Sequence, residues 1–99
     1  MSEPIDPARQ SGRTTRQMMG ARPFSIFVWV NGNLHYPARL AASIGRPDLG
    51  FASPSEVRNR MMGTTRRIVV DHAAELPIEV LDLIRAHNDK CDRIERGRA

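Results

Sequence analysis

Several residue types and patterns that define protein classes are scarce in this sequence. Its one cysteine, Cys91, excludes an internal disulfide and fits a reducing compartment. The longest apolar run, residues 24–30, is far too short to cross a bilayer as a helix, which needs about 20 residues. The first ten residues hold no apolar stretch of the kind found in signal peptides. We therefore expect a cytoplasmic protein that does not associate with membranes.

Lysine is also nearly missing, because Lys90 stands alone beside fourteen arginines. Such a skew is typical of GC-rich genomes. The charge is uneven along the chain: residues 1–70 carry ten arginines and four acidic residues, a balance of +6, whereas residues 71–99 carry five basic and seven acidic residues, a balance of −2. A positive first two-thirds favours contact with the phosphate of a nucleotide or nucleic acid, or with an acidic protein. An ordinary solvated surface is the alternative.

Ninety-nine residues, 40% of them hydrophobic, are enough for one folded domain. A chain of this length buries only about 60–65% of its unfolded surface, so a partner subunit would add to its stability. Residues 1–11 hold two prolines and few apolar positions, and we expect them to form a flexible N-terminal arm. Residues 12–99 would then form a single α/β domain.

Three segments have the composition of buried β-strands. They are residues 24–30, which are apolar on both alternating faces, residues 49–52 and residues 67–71. Helices are predicted for about two turns after Gly12, at residues 37–44, from Ser53 to about Met62, and at residues 77–96. Strands that alternate with helices favour right-handed crossovers and a parallel sheet. The sequence therefore predicts a small three-layer α/β domain, with a short sheet of about three parallel strands, flanking helices and a long C-terminal helix.

The long last helix has an apolar stripe that weakens after Ile84, where His87 and Asn88 fall on it. We expect its C-terminal half either to project or to pair with another subunit, and in the second case the protein forms a homo-oligomer through this helix. His87 and Cys91 lie four residues apart, but the sequence has no second Cys/His pair at ligand spacing, and no zinc site is expected. Cys91 lies on the apolar stripe, where a structural cysteine is expected.

Polar residues follow each predicted strand. Asn31 and Asn33 come after the first strand, Ser53 after the second, and Asp71 and His72 after the third. In an open parallel sheet, ligands bind outside the carboxyl ends of the strands. These side chains would meet at one edge, which locates a site without identifying its ligand.

The last of these junctions carries a known pattern. Three apolar residues, 68–70, lead into Asp71, as in a Walker B strand, whose aspartate holds a Mg²⁺-bound water beside nucleotide phosphates. Many strands end in aspartate, however, and the alternative is that Asp71 caps the turn that follows it. Both interpretations stay open from the sequence.

A second pattern lies near the start of the chain. Gly12-Arg13-Thr14-Thr15 stands at the opening of a predicted helix, and helix N-termini bind anions through free amides and the helix dipole. Its first three residues take the places of the Gly-Lys-Ser/Thr that ends a Walker A loop. Together with Asp71, this segment resembles a reduced, degenerate P-loop NTPase. It is similar in particular to small proteins of actinobacterial phages that carry a GRTTR segment.

The resemblance implies a site whose members are the phosphate contacts Gly12, Arg13 and Thr14, the Mg²⁺ ligands Thr14 or Thr15 with Asp71, and the rim residues Asn33 and His72. The sequence also departs from the family pattern. Pro7 stands where the first glycine of the loop is expected, and Arg13 replaces the lysine. No apolar strand precedes the loop, and His72 follows Asp71 where many hydrolysing members carry a glutamate. We therefore expect binding with weak or no hydrolysis.

Two functional hypotheses follow from the sequence. The leading one is binding of a nucleotide or polyphosphate with the help of Mg²⁺. The alternative is a phage-encoded, non-enzymatic accessory protein that holds nucleic acid or a host protein through its arginine-rich region. Salt dependence discriminates between them, because nucleic-acid binding weakens steeply as counterions are recaptured.

Overall fold

A computed structural model of the chain describes residues 7–98, and it describes the side chains of residues 12–97. Helices and strands alternate in the order α1 Pro7–Gly20, β1 Ile26–Val28, α2 His35–Ser43, β2 Gly50–Ala52, α3 Val57–Met62, β3 Ile68–Val70 and α4 Ile78–Arg98. Each of these elements overlaps a segment that the sequence predicts. No helix within the described residues is long and apolar enough to span a membrane.

The three strands are parallel and form one sheet in the order β2-β1-β3. Strand β1 lies in the middle, with Ile26 opposite Gly50 on one side and opposite Ile68 on the other. All three residues of β1 are buried, which explains why this segment is apolar on both of its alternating faces. The chain passes through α2 to reach β2, and then through α3 to reach β3 on the far side of β1.

Two apolar clusters pack on the two faces of this sheet. Ile26 and Val28 of β1 belong to one cluster, together with residues of α3 and α4. Phe27 points the other way and belongs to a second cluster, together with Met18 of α1 and Ala41 of α2. Helices α1 and α2 therefore cover one face, and α3 and α4 cover the other. The predicted three-layer α/β architecture with a long C-terminal helix is confirmed.

Helix α1 begins earlier than the sequence indicated. Its first residue is Pro7, five residues before Gly12. Proline is favoured at the first helical position, because its fixed φ suits the helix and its missing N–H would have no intrahelical acceptor there. The backbone of residues 7–11, which the sequence assigned to the predicted flexible arm over residues 1–11, is helical. Residues 1–6 of the predicted arm lie outside the described residues.

The strands and one helix are shorter than predicted. Phe24 has a φ of 66°, which lies in the left-handed region and cannot continue an extended strand. Its amide donates a hydrogen bond to Asp48 Oδ2 at 2.8 Å, which holds this corner of the chain. Helix α3 begins at Val57, because the preceding residues form a turn in which the carboxylate of Glu56 accepts from the amide of Ser53 at 3.2 Å.

Strand β3 lies at the edge of the sheet, and two carboxamide side chains bond to its free backbone groups. Asn88 of α4 accepts from the amide of Ile68 and donates to its carbonyl, each at 2.9 Å. Gln17 of α1 donates to the carbonyl of Val70 at 3.0 Å and accepts from the amide of His72 at 2.9 Å. Each carboxamide occupies the position of a further strand, so the edge of β3 is protected from pairing with a strand of another chain.

The C-terminal half of α4 packs on its own chain. Arg67, which precedes β3, pairs with Asp92 and also with Glu95, the latter at 2.6 Å. The same guanidinium holds the pKa of both carboxyls below their usual ranges. The prediction that this half projects is therefore wrong up to Glu95, because the polar residues that interrupt the apolar stripe bond to the chain around β3.

Arg46 ties the end of α1 to the loop that follows α2. Its guanidinium donates to the carbonyls of Met18 at 2.6 Å and Ala21 at 3.0 Å, at and just after the last turn of α1. Carbonyls at this end of a helix lack intrahelical donors, and a cation there also meets the negative end of the helix dipole. An ion pair between Arg46 Nε and Asp48 Oδ1, at 3.1 Å, orients the guanidinium. This contact fixes α1 beside α2.

Candidate functional site

The loops that follow the three strands meet at one edge of the sheet. Strand β1 leads to α2 on one face, whereas β3 leads to α4 on the other face. In α/β proteins, ligands bind at the carboxyl edge where neighbouring parallel strands send their connections to opposite faces. In this chain β1 has this relation to both of its neighbours, and the strand order reverses at the junction of β1 and β3, which is the switch point. It is flanked by Asn31 and Asn33 on one side and by Asp71 and His72 on the other.

Thr14 and Asp71, which lie far apart in the sequence, meet at this edge. The hydroxyl of Thr14 donates to Asp71 Oδ1 at 2.9 Å. The second carboxylate oxygen of Asp71 accepts from the amide of Ala73 at 3.0 Å, and the carbonyl of Asp71 accepts from the amide of Ala74 at 2.9 Å. Thr14 is 4% exposed and Asp71 is 2% exposed. Asp71 therefore caps the turn after β3 and at the same time anchors α1 over the end of that strand.

These contacts leave neither side chain free to bind Mg²⁺ directly. Mg²⁺ keeps several waters when it binds a protein, so its ligands must reach solvent. Both oxygens of Asp71 bond to protein donors, and the hydroxyl proton of Thr14 is directed at the carboxylate. Within the described residues, no group of three or more His, Cys, Asp or Glu side chains is placed to hold a metal ion. The geometry of the pair matches the capping interpretation of Asp71.

The segment from Gly12 to Thr15 lies inside a helix rather than at its start. Since α1 begins at Pro7, the amides of residues 12–15 fall beyond the first four positions and donate within the helix. The predicted helix start at Gly12 is wrong, and the free amides that a phosphate would need are not present at these residues. Gly12 and Thr15 are half-buried, whereas Arg13 is exposed to solvent.

His72 lies beside Asp71, next to the part of α1 that carries Thr14 and Gln17. Its backbone amide is held by Gln17, and its ring atom Nδ1 lies 3.7 Å from Asp71 Oδ1, too far for a hydrogen bond. Of the buried side-chain nitrogen and oxygen atoms in the described part of the chain, His72 Nδ1 is the one without a hydrogen-bond partner. A buried polar atom without a partner is uncommon and costs stability.

The loop after β1 and the start of α2 form the other side of the edge. The side chain of Asn31 accepts from the amide of Asn33 at 2.9 Å, which makes a tight turn. Leu34 stands at the N-cap of α2 and supplies no side-chain hydrogen bond to the first amides of the helix. The rings of Trp29 and Tyr36 pack with their centroids 5.6 Å apart, and Tyr36 is 50% exposed. An aromatic surface therefore adjoins the positive end of the α2 dipole.

The charge that is uneven along the sequence is also uneven across the sheet. Residues 7–47, which contain α1, β1 and α2, include no aspartate or glutamate. Arg13 and Arg16 of α1 and Arg39 of α2 are exposed, and within the described residues none of the three forms an ion pair or hydrogen bond. We call the outer surface of α1 and α2, with these three arginines, the cationic layer. The opposite layer of α3 and α4 carries charges of both signs.

Sequence reasoning missed the carboxamide Gln17, which bonds to the end of β3. A signal was present, since Gln17 follows Thr14 by three residues and the two must share one face of a helix. Comparison with protein-family models, with curated proteins and with solved structures finds no match for this chain.

Proposed function

We propose that this protein is a non-enzymatic module that binds nucleic acid, with a preference for single strands, through its cationic layer. The observation that carries the proposal is that the layer contains no acidic residue and that its three exposed arginines form no ion pair or hydrogen bond with any residue that the structure describes. A surface of one sign raises the local concentration of an oppositely charged partner and leaves no carboxylate to repel phosphate. The cytoplasmic location that we expect from the sequence suits this role.

The arginines are arranged to reach one partner together. Arg13 and Arg16 lie three residues apart on α1, so their side chains leave the helix on one face. That face is opposite Thr14 and Met18, which are buried against the sheet. Arg39 lies on α2, which packs beside α1. Guanidinium groups bind phosphate through paired hydrogen bonds, which suits an extended row of phosphates.

The aromatic pair favours a single strand over a duplex. Tyr36 precedes Arg39 by three residues on α2, so the exposed ring and the cation share one face of that helix. Unpaired bases stack on aromatic side chains while cations hold the backbone, a combination typical of single-strand binding. Bases in a duplex are already stacked and would gain less from the ring.

The test is the salt dependence of oligonucleotide binding, measured by fluorescence anisotropy with labelled single and double strands. Three phosphates neutralised on a single strand correspond to a slope of about −2 in log K against log salt. Affinity should then fall about twentyfold between about 50 and 200 mM salt. Absence of measurable binding at the lower salt concentration would reject the proposal.

A charge-matched pair of variants separates the cationic layer from the net charge. The test variant replaces Arg13, Arg16 and Arg39 with glutamine, and the control variant replaces Arg85, Arg93 and Arg96 of α4 with glutamine. Both variants lose the same charge from exposed positions. We expect the test variant to lose binding and its salt slope, and the control to keep both. Equal losses in the two variants would show that net charge alone attracts the ligand.

A second candidate is a nucleotide or polyphosphate bound at the carboxyl edge, with little or no hydrolysis. It is favoured by the start of α2, where the first amides lack a side-chain cap, and by the Trp29–Tyr36 pair beside it. Calorimetry and thermal shift with ATP, GTP, dNTPs and polyphosphate, with and without Mg²⁺, test it. A nucleotide that binds independently of Arg13 and Arg16 would support this candidate over nucleic acid. No heat and no shift with any of these ligands would exclude it.

A further inference from the structure

An apolar groove lies between α3 and α4, on the face of the sheet opposite the cationic layer. It measures about 400 Å³ and is lined by Arg58, Met61, Met62, Leu83, Ala86 and Lys90. Met62 is 85% exposed and Leu83 is 44% exposed, although both are large apolar side chains. Exposed apolar surface in a lined groove marks a binding surface more often than a scattered single residue does. We call this surface the α3–α4 groove.

The α4 side of the groove has the residue spacing of a helix-pairing seam. Leu83, Ala86 and Lys90 line the groove, and Glu79 continues their stripe one turn before Leu83, outside the groove. The four residues follow one another at intervals of four, three and four. Such intervals keep side chains on one stripe that faces a second helix along its length. Each of these residues immediately precedes a position of the buried stripe of α4, which carries Val80, so the two stripes lie side by side, about 100° apart around the helix.

We propose that the α3–α4 groove holds a second copy of this chain, with α4 packed antiparallel on α4 of the partner about a two-fold axis between Leu83 and Ala86. In that arrangement Leu83 packs against Ala86 of the partner subunit, so that a large side chain meets a small one. The contact then occurs twice, as a two-fold interface requires.

Charge selects this orientation. Glu79 lies four residues before Leu83 and Lys90 lies four residues after Ala86, so the two are equidistant from the proposed axis. Antiparallel packing therefore places Glu79 opposite Lys90 of the partner subunit, at both ends of the seam. Parallel packing would bring like charges together at both positions. A seam with apolar residues at its centre and opposite charges at its ends is complementary to itself in the antiparallel orientation.

The remaining geometry is compatible with such a dimer. Helix α4 has 21 residues, which is long enough for a seam of three turns that keeps both flanking charges inside the helix. Met62 of α3 stands beside the seam and would cover the partner helix, which would remove its exposed side chain from water. The cationic layer lies on the opposite face of the sheet and stays accessible. The dimer and the proposed nucleic-acid binding can therefore be tested separately.

The experiment is sedimentation of the full chain over about a hundredfold range of concentration at low salt. We expect the wild type to approach twice the monomer mass of 11.1 kDa as concentration rises. Glu79→Lys and Lys90→Glu, each alone, should weaken the dimer about thirtyfold, since each turns two attractions into repulsions. An equimolar mixture of the two variants should form a heterodimer. The double variant Glu79→Lys/Lys90→Glu should form a homodimer again.

Each further outcome decides the proposal. A wild type that stays monomeric across the range overturns it. Single variants that dimerise as the wild type does, or a double variant that fails to recover, overturn the antiparallel seam. Leu83→Asp is the apolar counterpart, and it should abolish the dimer without unfolding the domain, because Leu83 is partly exposed. Circular dichroism of every variant must match the wild type, so that loss of fold is distinguished from loss of pairing.

Discussion

Replacing Thr14 with valine tests whether the buried Thr14–Asp71 pair is a structural anchor. Valine keeps the shape and the β-branch of threonine but removes the hydroxyl that donates to Asp71 Oδ1 at 2.9 Å. Asp71 is 2% exposed, so no bulk water replaces the lost donor. The carboxylate would keep the amide of Ala73 as its one recorded backbone donor.

The expected loss follows from the burial of the charged acceptor. A hydrogen bond to a charged group contributes about 1.5–3 kcal/mol, and leaving a buried charge short of a donor costs a similar amount. We take about 2 kcal/mol for Thr14→Val. In a domain of this size, each kcal/mol lowers Tm by about 4–8 °C, so the variant should melt about 8–16 °C below the wild type.

Thermal and urea unfolding followed by circular dichroism measure this difference. Thr15→Val is the matched control, since Thr15 neighbours Thr14 in α1, is half-buried, and forms no hydrogen bond through its hydroxyl within the described residues. Thr14→Ser should retain most of the stability. The structural interpretation is wrong if Thr14→Val melts at or above the temperature of the Thr15→Val control.

The direction in which Asp71→Asn changes Tm shows whether Asp71 is a structural anchor or part of a ligand site. As an anchor, the carboxylate accepts from both Thr14 and Ala73, whereas an asparagine can accept through its one carbonyl oxygen and is uncharged. Its NH₂ group could donate to the Thr14 oxygen only after the hydroxyl proton turns away, and hydrogen bonds to a neutral acceptor are weaker, so stability falls. A carboxylate kept for a metal or for catalysis commonly carries a stability cost, and its neutralisation would raise Tm. A rise in Tm for Asp71→Asn, or a rise for the wild type on adding Mg²⁺, would support the magnesium hypothesis.

Two further predictions concern the edge of the sheet and its acid sensitivity. Asn88→Leu leaves the amide and carbonyl of Ile68 without these partners, so the free energy of unfolding measured in urea should fall by about 2–4 kcal/mol. The exposed strand edge should also cause aggregation that light scattering detects. Unchanged stability would contradict the role of this carboxamide. The guanidinium of Arg46 and the amide of Phe24 hold the pKa of the Asp48 carboxyl below its usual range. The unfolded chain then takes up this proton first as the pH falls, so the stabilisation is complete above about pH 4 and is lost below it. Asp48→Asn should therefore show a weaker pH dependence of its urea midpoint between about pH 2 and 5 than the wild type.

The alternation of strands and helices was predictable from local features. Apolar, β-branched runs with turn residues between them indicate buried strands, and one strand apolar on both faces indicates the middle of a covered parallel sheet. The position of Asp71 at the carboxyl edge follows from that topology alone. Its proximity to Thr14 was a prediction of the resemblance to a P-loop, and the structure places the two side chains in contact.

The chemistry of that contact was not predictable in the same way. The local residue pattern predicted a helix start at Gly12, whereas the helix begins at Pro7, about one and a half turns earlier, so the amides of residues 12–15 donate within it. Whether a carboxylate faces solvent or a buried hydroxyl depends on how far α1 extends over β3. The hydrogen bonds from Arg46 to the end of α1 also join distant segments of the chain, and no local sequence pattern predicts them.

The topology converts a charge gradient along the chain into a charge difference across the sheet. In the order β2-β1-β3, the first two helices cover one face and the last two cover the other. A chain without acidic residues from 7 to 47 must therefore present an acid-free layer on one side, whatever its side-chain details. A dimer through α4 would join two molecules by their mixed-charge faces and leave both cationic layers outward. An oligonucleotide long enough to reach both cationic layers would bind the second layer at an effective concentration set by the distance between them. A variant that prevents dimerisation should therefore weaken the binding of long oligonucleotides more than the binding of short ones.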